Sequence, residues 1–164
     1  MRLSFLASLL VAAACTTGGG SPGPGNPASC KIDDVLTAEL DGHAPKDCGR
    51  LGIDASTAAF QAAKSCVLAA IESNEPFVVV WDIQGIDSRV ARAFYGVSGD
   101  SGLAISSLSY DGDPRGGGGE ARPRTTTSQC GSLAPVASCG DDQLPFSLCL
   151  SCASATLIDE CTTP

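Results

Sequence analysis

Nine cysteines in a chain of 164 residues constrain this fold more than any other feature. They are Cys15, Cys30, Cys48, Cys66, Cys130, Cys139, Cys149, Cys152 and Cys161, with five of them at or beyond position 130. An odd number in an exported protein leaves one thiol over when all the others pair. The first of them stands apart from the rest, at the end of an apolar N-terminal stretch. Its role therefore decides how the remaining cysteines are read.

Met1-Arg2 gives a minimal positive start, and Ser4 to Ala14 is an apolar run that ends in three alanines. The run is too short to span a bilayer and has the form of an export segment. Leu9 to Cys15, LLVAAAC, resembles the lipobox of bacterial lipoproteins, with Ala12 where that motif usually carries leucine. The resemblance covers residues 1–15 alone. It implies a signal peptide over 1–14, cleavage before Cys15, and acyl chains on Cys15 that hold the mature chain to a lipid bilayer. Thr16 in place of aspartate resembles lipoproteins sent onward to the outer membrane, so the outer membrane or cell surface is expected over the inner membrane. The competing possibility is an ordinary secretory signal cut near Ala14, which would leave Cys15 a plain thiol.

Two further features agree with an anchor at Cys15. Residues 16–29, TTGGGSPGPGNPAS, carry no charge and little apolar surface. Such a stretch cannot offset its ordering entropy by burial and serves as a flexible tether, which with Cys15 spans 15–29. With Cys15 lipidated, Cys30, Cys48, Cys66, Cys130, Cys139, Cys149, Cys152 and Cys161 remain, an even set expected to close four disulfides in an oxidising compartment.

Loss of the export segment removes Arg2 and no acid, leaving nine basic against 18 acidic side chains, a formal −9. That field disfavours nucleic acid as a partner. Residues 30–164 are expected to form one disulfide-rich domain. Its apolar content leans on Ala, Val and Leu, with one Trp, two Tyr and five Phe in the whole chain. A core so thin in aromatics needs covalent support.

The clearest element is a helix over 57–73, with Ala59, Phe60, Ala63, Cys66, Val67, Ala70 and Ile71 on one side. Asp54 or Ser56 is placed to cap its start, and Asn74-Glu75-Pro76 ends it. After Pro76 the period becomes two: Phe77, Val79, Trp81 and Ile83 share one face of a strand. Arg89 to Val97 follows as a second strand, though a helix through Arg89–Tyr95 competes. Gly99-Asp100-Ser101-Gly102 is a turn, Leu103–Tyr110 a third strand, and Thr125–Gln129 a possible fourth. Residues 111–124, DGDPRGGGGEARPR, are expected to form a mobile loop. Asp33–Leu40 has room for two helical turns, whereas Gly42–Pro45 and Cys48-Gly49-Arg50 look like loop. From Gly131 onward no period persists, and a disulfide-pinned coil is expected, with a turn of helix near Ala153–Leu157. The fold class expected is α+β: one main helix on a three- or four-stranded antiparallel sheet, in two layers.

Motifs for chemistry are weak. Gly99-Asp100-Ser101-Gly102 resembles the GDSGG segment of chymotrypsin-like proteases but breaks at Leu103, and the only histidine, His43, sits in a Gly-His-Ala-Pro loop. Cys149-Leu150-Ser151-Cys152 has C-x-x-C spacing without the strand–helix setting of a redox dithiol. Separate partners among Cys130, Cys139 and Cys161 are expected for that pair, and Cys48–Cys66 is the best single pairing. Cys139, Cys149, Cys152 and Cys161 are zinc ligands by type, but the compartment opposes it. Asp111-Gly112-Asp113 starts like a calcium loop and then has Arg115 where an oxygen ligand belongs. No catalytic residue, metal or cofactor is assigned. Trp81 and Tyr95 are the weak candidates for a ligand surface, with core packing favoured for Trp81. The functional expectation is a binding or envelope-structural module with an envelope protein or glycan partner. The alternative is a small secreted hydrolase or a redox accessory with an atypical site.

Overall fold

The computed structural model describes residues 27–117 and 122–162. The export segment, Cys15, the tether as far as residue 26 and part of the 111–124 loop lie outside the described residues. Among those described, no helix is long and apolar enough to cross a membrane.

The fold is α+β and disulfide-stapled, but its sheet is larger than expected. The elements run α1 (Ile32–Glu39), β1 (Lys46–Leu51), α2 (Thr57–Glu72), β2 (Phe77–Ile83), β3 (Val90–Gly99), β4 (Gly102–Asp111), β5 (Arg124–Cys130) and β6 (Ser132–Pro135). A 3-10 turn (Asp141–Gln143), α3 (Leu144–Ser147), β7 (Leu150–Ala153) and β8 (Thr156–Thr162) complete the described chain. The main sheet has six strands in the order β1-β2-β3-β4-β5-β8, and β6 and β7 form a separate two-stranded ribbon.

Helix α2 forms where the apolar spacing put it. Phe60, Ala63, Val67 and Ala70 are buried along one side. The Ser56 hydroxyl accepts from the Ala59 N–H at 3.2 Å, satisfying one of the free amides of the first turn. Asn74 then adopts a left-handed backbone (φ 54°) and ends the helix before Pro76.

The strands β2, β3 and β4 form an antiparallel meander with unbroken register, Phe77 opposite Gly96 and Gly99 opposite Gly102. The strand assignment for Val90–Gly99 wins over the competing helix because both its neighbours pair with it along its length. Asp100-Ser101 is the hairpin tip, and Gly102 supplies the left-handed backbone (φ 123°) that returns the chain. A side chain at Gly96 would meet Phe77 Cε1 at 2.7 Å, so the glycine makes room for that ring.

The sheet is covered on both faces, which corrects the two-layer expectation. On one face α2, α3 and the β6–β7 ribbon pack over Phe77, Val79, Trp81, Phe94 and Ile105. On the other, Ile32, Val35 and Leu36 of α1 pack over Val80, Ala91, Ala93, Tyr95, Leu108 and Tyr110. Asp33 holds α1 in place by ion pairs to Arg50 (2.6 Å) and Arg89 (3.7 Å). The segment Cys30–Leu51 therefore belongs to the same domain core as the rest.

Two stretches expected as loop or coil form strands instead, and one expected helical turn is absent. Cys48-Gly49-Arg50 lies within β1, which pairs parallel to β2 and makes 46–83 a strand–helix–strand unit. The sheet is thus mixed, not purely antiparallel. The tail contributes the β6–β7 ribbon and the edge strand β8, antiparallel to β5. The helical turn placed at Ala153–Leu157 does not form; Ser154 is left-handed (φ 52°) and reverses the chain between β7 and β8. Asp111 and Arg124 pair with each other, so the long connection is residues 112–123.

Candidate functional site

All eight cysteines from Cys30 onward are in disulfides: Cys30–Cys161, Cys48–Cys66, Cys130–Cys152 and Cys139–Cys149. The expected Cys48–Cys66 bond joins β1 to the flank of α2. Cys149 and Cys152 reach separate partners, as expected, so no C-x-x-C dithiol is present. The reason is local: Leu148 and Cys149 both take left-handed backbone (φ 54° and 52°), which turns Cys149 toward Cys139 before the β7 strand begins. Cys152 then lies opposite Leu133 in the ribbon and ties it to Cys130 at the end of β5. Oxidised in this way, Cys139, Cys149, Cys152 and Cys161 offer no thiolates to zinc.

The remaining motifs are separated by the fold. Ser101 sits at the exposed tip of the β3–β4 hairpin, in a depression whose lining includes no histidine and no acid. His43 is exposed and lines a different depression, with Asp33, Thr37 and Asp41 but no serine. The Asp111 carboxylate accepts from the Ser88 hydroxyl (3.1 Å) and the Asp113 N–H (3.0 Å), which makes it a turn cap. Among the described residues no group of three or more His, Cys, Asp or Glu is arranged to hold a metal ion.

Trp81 and Tyr95 do not form an exposed platform. They are 1% and 2% exposed and belong to opposite faces of the sheet. The Tyr95 hydroxyl donates to Glu39 at 2.7 Å, linking β3 to the end of α1. Burial, reinforced by the Glu39 hydrogen bond, pushes the phenol well above its ordinary value.

Trp81 nonetheless borders a cleft. A depression of about 310 Å³ opens where the β7 end of the ribbon and α3 lean over β2, β3 and β4. Its walls include Trp81, Arg92, Phe94, Ser107, Phe146 and Leu150. Trp81 and Phe94 meet with ring centroids 5.3 Å apart and planes at 43°. Arg92 lies directly opposite Trp81 in the β2–β3 register and is exposed. Phe146, on α3, is 60% exposed, a large apolar ring left in water beside the cleft. The indole N–H of Trp81 is buried without a hydrogen-bond partner. Apolar walls with a few polar groups are what small-ligand sites are made of.

Arg92, Ser107 and Phe146 were not singled out by sequence. The available signal was Arg92 itself, a charge set between two apolar neighbours at the same strand parity as Phe94. Phe146 had no periodic context to mark it. No family model matches the chain, and no curated protein and no solved structure matches it.

Proposed function

We propose that the chain is an extracytoplasmic lipoprotein, held to a bilayer by acyl chains on Cys15, whose folded domain is a binding or envelope-structural module. The observation that carries this is cysteine parity. Cys30, Cys48, Cys66, Cys130, Cys139, Cys149, Cys152 and Cys161 close four intrachain disulfides, which fits an oxidising compartment and leaves Cys15 as the ninth. The sequence around Cys15 supplies the lipobox-like context, and 16–29 the tether that would lift the domain off the surface. Thr16 supports an outer-membrane or cell-surface position, and the partner we propose is an envelope protein or glycan.

A binding role is favoured over the hydrolase or redox alternative by the cleft at Trp81. Its lining combines aromatic surface with Arg92 and two serines and contains neither histidine nor carboxylate, so it lacks a general base.

Growth with a labelled fatty acid tests the anchor. The parent protein should take up label and sediment with membranes, and Cys15→Ser should take up none and either leave the membrane fraction or remain unprocessed. Label entering Cys15→Ser would overturn the proposal.

A further inference from the structure

We propose that the cleft between the β6–β7 ribbon, α3 and strands β2–β4 binds a compact carboxylate with an apolar body, whether a free acid or a peptide C-terminus. This deepens the binding-module proposal and rests on it. Three observations lead to it.

The first is the balance of donors and acceptors. Polar side chains among the cleft-lining residues are Arg92, Ser107 and Ser147, while the Trp81 indole N–H lies buried behind the ring face. The guanidinium only donates and the Ser107 hydroxyl turns to suit, whereas the Ser147 hydroxyl is engaged with the Gln143 carbonyl and the Cys149 N–H. No carboxylate or carboxamide stands among the lining residues. A neutral glycan, whose hydroxyls need acceptors as well as donors, is poorly served by such a wall. A carboxylate, which only accepts, is well served.

The second is that Arg92 has no acidic partner in the protein among the described residues, and the Trp81 N–H behind the cleft wall has no partner either. Trp81 itself is 1% exposed. Arg50, Arg89 and Arg124 are each paired with an acid, whereas Arg92 forms no ion pair among the described residues. In a chain with 18 acidic side chains, a guanidinium left without one beside a cleft is a local reversal of the overall field. Its planar fork suits a carboxylate bidentately.

The third is the apolar complement. Phe94 and Leu150 line the interior and Phe146 stands 60% exposed beside it, so a ligand with an aromatic or branched apolar group would cover a ring now in water. The volume of about 310 Å³ is at the small end for ligand clefts and suits a compact ligand.

Trp81 is the only tryptophan in the chain, so its fluorescence reports this cleft alone. The full mature chain is titrated at neutral pH with 3-phenylpropionate and with an N-acetylated dipeptide ending in phenylalanine, each beside its C-terminal amide. N-acetylglucosamine is the neutral-sugar probe. At least one acid should give a saturable change and bind tenfold or more tighter than its amide, and the Trp81 indole N–H resonance should move with the acid. Which acid binds distinguishes a free metabolite from a peptide end. Arg92→Gln, an exposed change that leaves the core intact, should remove the preference for acid over amide, and Phe146→Ala should weaken acid and amide alike. Equal binding of acid and amide, a preference that survives Arg92→Gln, saturation by the sugar alone, or no saturable change would each overturn the inference. Acylation at Cys15 is measured independently, so failure here leaves the anchor proposal standing, and failure of the anchor leaves this cleft standing.

Discussion

The α2–β2–β3–β4 region and the edge strand at the end of the tail are held by different means. In the first, Phe60, Val67, Phe77, Val79 and Trp81 are all within 1% of complete burial, packed between a helix and a sheet. In the second, β8 is exposed along its whole length except at Cys161, with Leu157 and Ile158 60% and 52% exposed. The rest of the tail is held by burial, with Leu133, Leu144, Leu148 and Leu150 in the core alongside Cys130–Cys152 and Cys139–Cys149, so it is β8 that has a covalent tie, Cys30–Cys161, in place of burial. Where sequence offers an apolar period, burial holds the chain. Where burial is missing, as in β8, a disulfide restricts the unfolded state instead.

That contrast is broken most directly at Cys30–Cys161, which closes a loop with a sequence separation of 131. The chain-entropy model assigns about 4–5 kcal/mol to a loop of that length. Replacing both cysteines by serine should lower the denaturant midpoint by a corresponding amount and release β8 first. Amide exchange followed strand by strand checks the order, with β8 losing protection while β2 and β3 keep theirs. Uniform loss across the sheet would show that β8 is not held separately.

A second comparison sets Phe60 against Leu157. Phe60 is fully buried under the sheet, and Phe60→Ala should cost about 3–5 kcal/mol. Leu157 is 60% exposed on the edge strand, and Leu157→Ala should stay within about 0.5 kcal/mol of the parent. Chemical denaturation of both variants decides it. Similar losses would mean that the exposed strand carries packing not evident from its surface.

The same contrast explains what could be read from sequence. Helix α2 and strand β2 were legible because Phe60–Val67 and Phe77–Trp81 repeat at helical and strand periods. The Gly99–Gly102 turn was legible from its composition. Strand β1 was not: Lys46, Asp47 and Arg50 are exposed, Gly49 takes φ 117°, and pairing with β2 shifts register between Asp47 and Arg50. An edge strand that is polar and irregular leaves no alternation to find. Strand β8 was missed for a related reason, since a strand exposed on both faces has no apolar period. The second face of the sheet was hidden because two of its three buried residues in β3, Ala91 and Ala93, are small, and α1 spans two turns. The cleft needed the β2–β3 register, which brings Arg92 opposite Trp81 and depends on where the connection through Gly85 ends.

The smallest expected effect concerns the face covered by α1, and it appears only at alkaline pH. Tyr95 is 2% exposed, and its hydroxyl donates to Glu39, so the folded protein holds the phenol protonated beyond its ordinary range. In the unfolded chain the same phenol ionises at about 10. The folded state thus binds the proton more tightly, and the stability this contributes is fully present below about pH 10. As pH rises further, the unfolded state loses the proton first, and stability is lost until the folded-state pKa is passed. Tyr95→Phe keeps the ring in its packing and removes the titrating group. At neutral pH the variant should lose about 1 kcal/mol, the net worth of one hydrogen bond. Between about pH 9 and 11 its stability should then fall less steeply than the parent's, because no phenol at this position ionises on unfolding. Urea denaturation at a series of pH values measures both slopes. Parallel slopes for parent and variant would show that Tyr95 is no more reluctant to ionise in the fold than in water, and that the face beneath α1 is wetter than its packing indicates.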